Sequence, residues 1–298
     1  MARLFQAYVV VDWSAASKPS TGADSVWVGV LKRDVRFRLT FESHNPATRA
    51  EAEKLIAGIL DERAKRSERT LLGFDFPLGF PRGLAAALNL PLETPWLSVW
   101  NQIDKMVKDR PDNVNNRFGV GSEINRRITG GPFPFWGVPP KDALTTLQPK
   151  RTRAHEAGDL PEFRHAELAA KGSSPVWKLY YNGSVGGQAI LGIPVVRRLR
   201  LARAETMKVW PFETGFKGLT ETDLAGVDVV AAEVYPSLFT TLPLPGEVKD
   251  LTQVRVTAEH FARLDDAGKL GALFAPAKDL AAETIDIAAS EEGWILGS

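Results

Sequence analysis

Ala7-Tyr8-Val9-Val10-Val11-Asp12 is a valine-rich apolar run closed by a carboxylate. Its length and β-branched content read as a buried strand from Gln6 to Asp12. Three more segments put an acid beside an apolar run. Asp75 ends Leu71-Leu72-Gly73-Phe74, Glu233 ends Val229-Val230-Ala231-Ala232, and Asp265-Asp266 lies on a late helical pattern. Desolvating a carboxylate is costly, so acids are rarely buried without a partner. Several acids converging on one sheet edge repel one another unless a cation sits between them. Mg²⁺ or Mn²⁺, which prefer oxygen ligands, are the expected cations, and the expected chemistry is metal-assisted phosphoryl transfer or hydrolysis.

Outward from the first strand, Ser25 to Lys32 and Val35 to Glu42 alternate with period two across a short turn at Arg33-Asp34. The three runs predict an antiparallel start. Thr48 to Arg69 carries Ala52, Leu55, Ile56, Ile59 and Leu60 on one stripe, an amphipathic helix with Thr48 or Asn45 as its cap. Thr70 to Phe74 is the next buried strand. A helix crossing to a parallel strand gathers the strand ends, and a ligand site with them, at one edge. Between Pro77 and Pro175 the pattern turns irregular. Trp96 to Lys108 reads as helix, while Asn113 to Pro140 and Gln148 to Gly158 read as loop. Val185 to Arg203 is helical with Gly192 and Pro194 inside it. Met207 to Phe212 and Val227 to Glu233 are strand-like, and Thr257 to Phe274 and Lys278 to Ser290 helical. The expectation is an α/β fold, with 1–90 and 173–298 as the core and 91–172 as an inserted, mostly helical and loop subdomain covering the site.

The chain has 298 residues, 44% of them hydrophobic and 24% charged, enough for a real core. It has no cysteine, which excludes disulfides, thiolate zinc sites and a cysteine nucleophile. No apolar stretch approaches the roughly 20 residues that span a bilayer, and no signal-peptide layout is present, so a cytoplasmic location away from membranes is expected. Net charge is only +1, but it is unevenly spread. Residues 141–208 hold 12 Lys+Arg against 6 Asp+Glu, and residues 212–298 hold 6 against 15. A basic middle facing an acidic end fits an anionic substrate above a metal site. The four histidines lie far apart and show no metal-ligand spacing, and tryptophans such as Trp96, Trp100, Trp136 and Trp177 read as packing for the insertion.

Further motifs accompany the acids. Val11-Asp12-Trp13-Ser14, Phe74-Asp75-Phe76-Pro77-Leu78-Gly79-Phe80-Pro81, Lys178-Leu179, Gly183-Ser184-Val185-Gly186-Gly187-Gln188-Ala189 and Gly192-Ile193-Pro194 are joined by Glu233-Val234-Tyr235-Pro236-Ser237, Asp265-Asp266 and Glu292-Gly293-Trp294-Ile295. In this set the chain resembles domain-of-unknown-function family 429, described as predicted nucleases with an RNase H-like fold. The resemblance spans nearly the whole length, loosely from Pro91 to Gly172. It implies an RNase H-like core: a mixed sheet, antiparallel in its first three strands, with flanking helices. It also implies Asp12, Asp75 and Glu233 as metal ligands, completed by Asp266 or Asp265. Where the family often carries another acid about three residues after its aspartate pair, this chain has Lys269. The late ligand therefore stays open, with Glu213 a further candidate.

The function expected is a Mg²⁺- or Mn²⁺-dependent phosphodiesterase acting on nucleic acid or another phosphate-bearing substrate. Asp12, Asp75, Glu233 and Asp266 are its catalytic set, with a metal-activated water as nucleophile. Ser14, Lys18, Lys178, Arg126 and Arg127 are candidates for holding the phosphate. Two rivals stay open. One is an actin- or sugar-kinase-like phosphotransferase, reading Val11-Asp12-Trp13-Ser14 as a phosphate turn. The other is a non-catalytic module that binds an anion or a partner.

Overall fold

Ala7–Asp12 (β1) runs antiparallel to Trp27–Arg33 (β2), and β2 runs antiparallel to Leu39–His44 (β3). Arg49–Lys65 (α1) then crosses to Thr70–Phe74 (β4), which lies parallel to β1. Five helices follow: α2 (Leu84–Ala87), α3 (Pro95–Met106), α4 (Arg117–Ile128), α5 (His165–Ala169) and α6 (Val185–Leu201). Met207–Val209 (β5), Val229–Glu233 (β6), Lys249–Asp266 (α7) and Ala282–Ile287 (α8) complete the order. The sheet runs β3-β2-β1-β4-β6-β5, with β1, β4, β6 and β5 mutually parallel. This computed structural model describes residues 3–170, 172–240 and 242–298. Among them no helix is long and apolar enough to cross a membrane.

The sheet is covered on both faces, and strand alternation assigns each side chain to one of them. Val9, Val11, Leu72, Phe74, Val229 and Ala231 belong to the core shared with α1, α3 and α6. Tyr8, Val10, Leu71, Val230 and Ala232 belong to the core shared with Val254, Ala258 and Phe261 of α7. Residues from 91–172, among them Trp96, Trp100, Val120 and Phe135, join the first of these cores. The segment thus buries its apolar residues on the sheet's own core.

Helix α1 begins where its sequence places it. Thr48 accepts from Glu51 N, and the Glu51 carboxylate returns a bond to Thr48 N, a reciprocal cap. Helix α4 is the main departure, because Asn113 to Pro140 reads as loop. Its Gly119 and Gly121 depress helix propensity, yet a Cβ on Gly121 would stand 2.5 Å from Leu179 Cδ1. Tertiary packing overrides propensity there. Helix α7 starts eight residues before the expected Thr257, with no side-chain cap at Val248 to announce it.

The far end of α7 fastens the start of the chain. Asp265 is 1% exposed and accepts from Leu4 N at 2.9 Å, Phe5 N at 2.8 Å and Tyr8 Oη at 2.7 Å. Burial, and then the Asp265 charge, push the Tyr8 phenol above its ordinary range. Asp265→Ala strands two buried N–H donors and a phenol, and is expected to cost about 3 kcal/mol by urea denaturation. Asp265→Asn keeps one acceptor oxygen and is expected to recover part of the loss; equal stability of Asp265→Ala and wild type would refute the role.

Candidate functional site

Asp12 closes β1 and Asp75 follows β4. Since Val11 pairs with Phe74, the two acids occupy matching positions on adjacent parallel strands and point to the same face. Their carboxyls meet in hydrogen-bonding contact. Asp75 N donates to Val11 O at 3.1 Å, and Asp75 Oδ1 accepts from Trp13 N at 2.7 Å, which fixes the turn leaving β1. Both residues are half-buried. Burial, then the charges of Asp75 and Asp250, hold the Asp12 carboxyl well above the ordinary carboxylate range. Burial pushes Asp75 up to about 7, against the opposing bond from Trp13 N. Two carboxyls in contact repel as a pair of charges and favour holding a proton or a cation.

Glu233 does not join this pair. It pairs in register with Phe74, one residue short of the position that matches Asp75. One residue along a strand reverses the side chain, so Glu233 faces the α6 side. The matching position on the Asp75 face is taken by Val234, whose Cγ1 would lie 2.8 Å from a Cβ on Gly73. Glu233 is already neutralised. Arg164 Nη2 donates to its Oε1 at 2.7 Å and Nη1 to its Oε2 at 2.8 Å, and both side chains are buried. Arg164 Nε also donates to Glu167 Oε1 at 2.7 Å, and Leu78 N donates to Glu233 Oε2 at 3.2 Å. Burial works against the Arg164 charge, but Glu167 and Glu233 outweigh it and hold its pKa above the ordinary value. Burial pushes Glu167 up to about 7.

The other expected ligands lie elsewhere. Asp265 holds the N-terminal segment as described. Asp266 pairs with Arg33 at 2.6 Å and Arg3 at 3.5 Å on the surface. Both stand at the end of α7 remote from its Asp250, about 24 Å along the axis at 1.5 Å per residue. Glu213 is held by Arg200 and by Val209 N. Among the candidates for phosphate, Arg126 and Arg127 both pair with Glu123, and Lys178 donates to Asn182 O. Ser14 Oγ is occupied in its own turn with Asp24 O and Ala16 N. Lys18 is exposed on the loop that follows Asp12.

The late acid near the pair is one the sequence reading missed. Asp250, in the first turn of α7, acts on both Asp12 and Asp75, while its Oδ2 accepts from Asp24 N at 2.8 Å. Neighbouring Lys249 opposes it at Asp12. The signal lay in Val248-Lys249-Asp250, lost when the helix is begun at Thr257. A cavity of about 220 Å³ adjoins Asp75 and Glu233 and is lined also by Arg164, Glu167, Ser174 and Tyr235. Larger hollows of about 500 and 750 Å³ are lined by none of the acids expected as ligands.

Compared with protein families, curated proteins and solved structures, the chain finds no match. Among the described residues no three Asp, Glu, His or Cys side chains gather closely enough to hold a metal ion. The donor set that remains is the Asp12–Asp75 pair. Two carboxylates fit one Mg²⁺-like ion completed by water and substrate phosphate, and do not fit a protein cage.

Two outcomes test this geometry. Asp75 titrates near 7 when folded and near 3.9 when unfolded, so between those values the folded protein keeps a proton that the unfolded chain has released. Stability is therefore expected to fall as pH rises from about 4 to about 7, by on the order of 2 kcal/mol after solvent screening. Asp75→Asn is expected to flatten that slope in denaturation at fixed ionic strength; an unchanged slope would refute the retained proton. Arg164→Met leaves Glu233 and Glu167 buried without their cation and is expected to cost about 3–5 kcal/mol. The same denaturation curves check it, and a neutral effect would mean the cluster is solvated.

Proposed function

We propose that the chain is a divalent-cation-dependent hydrolase of phosphodiesters, centred on Asp12 and Asp75. The observation that carries the reading is their contact at the carboxyl ends of two adjacent parallel strands, with both groups raised in proton affinity. A pair that holds a proton this firmly is a natural seat for a hard cation. The strand order, antiparallel first and parallel from β4 onward, is compatible with an RNase H-like core. The family resemblance of the motifs supports the same reading.

The ligand set differs from the four-acid expectation. Asp12 and Asp75 would hold the ion, and Asp250 would add negative field from the start of α7. A bound Mg²⁺ or Mn²⁺ supplies Lewis-acid stabilisation of phosphoryl oxygens. Asp75 is kept in place by Trp13 N, which limits its rotamers before any ligand arrives. The remaining carboxyl oxygens can take a proton from water. Glu233 serves the frame, since its charge is spent on Arg164. The cavity beside Asp75 is itself acidic, so a phosphate approaches only when a cation offsets the pair. Nucleic acid or another phosphate ester is the substrate class.

A second reading rests on the same contact: two carboxyls sharing a proton act as a metal-free acid–base pair. Mn²⁺ separates the two. At pH 8 with EDTA removed, Mn²⁺ is expected to raise the Tm of wild type and not of Asp12→Asn. Labelled single- and double-stranded DNA and RNA are expected to be cut only with Mn²⁺ or Mg²⁺, with cleavage about a hundredfold or more weaker in Asp12→Asn. Activity that persists in EDTA selects the metal-free pair. Neither Tm shift nor cleavage by wild type sinks the hydrolase.

A further inference from the structure

Arg117 is the first residue of α4 and is buried. It is 6% exposed, and among the described residues no carboxylate forms an ion pair with it. Its Nη1 donates to Ser17 Oγ and Asn115 Oδ1, each at 2.9 Å, while its Nε is buried with no partner. Burial, and then the neighbouring Arg49 charge, lower its pKa to about 10. Such a group costs stability unless an anion joins it.

The opening turn of α6 adjoins this guanidinium. Ser184 supplies no side-chain cap, and Gly186 N donates to Lys178 O at 3.0 Å. The N–H group of Gly187, in that first turn, has no acceptor within its helix. A Cβ on Gly187 would lie 3.3 Å from Arg117 Cδ and 3.2 Å from Ala15 Cβ, so helix, loop and arginine meet there. Gln188 Nε2 donates to Trp13 O, and Trp13 N donates to Asp75. The loop Trp13–Ser17 therefore runs from the acid pair to Arg117. Arg49 braces it by donating to Ser14 O and Ala16 O.

Outside this point lies a row of rings. The Arg117 guanidinium stands 4.2 Å from the Phe118 ring centroid, Phe118 meets Tyr180 edge-on at 6.0 Å, and Tyr180 meets Tyr181 at 4.7 Å. Tyr180 is 37% and Tyr181 44% exposed. An unpaired buried guanidinium at a helix N-terminus attracts a phosphate, and exposed aromatic rings beside it stack on bases.

We propose that Arg117 and the first turn of α6 form a phosphate subsite, flanked by Tyr180 and Tyr181 as a stacking surface, for one nucleotide unit of a single strand. Its role as the neighbour of the scissile phosphate rests on the hydrolase reading above; the binding itself does not.

The test is isothermal titration of the full chain in EDTA with adenosine 5′-monophosphate, inorganic phosphate and adenosine. Wild type is expected to bind the nucleotide more tightly than phosphate, and adenosine least. Arg117→Gln is expected to weaken nucleotide and phosphate by at least about tenfold, the weight of a charge-assisted bond. Removing a buried unpaired charge is not expected to lower its Tm. Gly187→Ala, which keeps the guanidinium but crowds it, is expected to weaken both ligands too. The double variant Tyr180→Ala, Tyr181→Ala is expected to lose about tenfold for the nucleotide and nothing for phosphate. Asp75→Asn is expected to bind as wild type does. No nucleotide binding by wild type, adenosine binding as tight as the nucleotide's, or full binding by both Arg117→Gln and Gly187→Ala overturns the subsite. If Asp75→Asn alone abolishes binding, the ligand sits on the acids, and the subsite falls while the hydrolase stands. Binding as expected without Mn²⁺-dependent cleavage supports the subsite and removes only the hydrolase.

Discussion

Arg164 holds the molecule's site region together. One buried guanidinium grips Glu233 at the end of β6, Glu167 in α5, and the carbonyl of Glu292 near the C-terminus. These groups come from three distant parts of the chain, and each would be costly to bury alone. The Pro-rich turn after Asp75 settles on the same cluster. Leu78 N bonds Glu233, and Gly79 lies so close to Glu292 O that an added Cβ would stand 2.2 Å away. The final segment completes it, with Ile295 bridging to Glu233 and Leu296 N donating to Glu233 O. Residues of the Asp75-Phe76-Pro77-Leu78-Gly79, Glu233 and Glu292-Gly293-Trp294-Ile295 segments thus form a packing unit around one cation.

The strand register turns the Asp12–Asp75 pair away from that cluster, although Asp75 and Glu233 border one cavity. Asp12 and Asp75 point toward the start of α7, where Asp250 raises their proton affinity and Lys249 tempers it at Asp12. Separating the structural charge cluster from the Asp12–Asp75 pair has a physical advantage. Arg164 is too committed to neutralise Asp12 or Asp75, so that pair stays free for a cation or a proton. A single-residue offset in register produces the division.

Much of the fold was legible because its signals are local. The valine run of β1, the alternation in β2, the amphipathic stripe of α1 and the Thr48–Glu51 cap all act within a few residues. Helix α4 was not legible, since its glycines argue against helix and only contact with Leu179 explains Gly121. The adjacency of Asp12 and Asp75 could be read from strand ends alone. Glu233 could not be placed, because the face it takes depends on how β6 pairs with β4, and its neutralising partner lies 69 residues away. Asp265 looked like a ligand for a similar reason: an acid on a helix discloses neither end nor face. Arg117 gave no signal at all, since whether an arginine meets a counter-ion is a property of the folded surroundings.

The bonds from Leu4 and Phe5 to Asp265 span 261 and 260 residues. A ribosome makes Leu4 and Phe5 some 260 residues before the acid that fastens them. Until α7 emerges, Val10 and Tyr8 lack the helix that covers them, and the apolar face of β1 has no lasting shelter. Closing so long a loop comes late and slowly, and the apolar face of β1 stays uncovered until it closes.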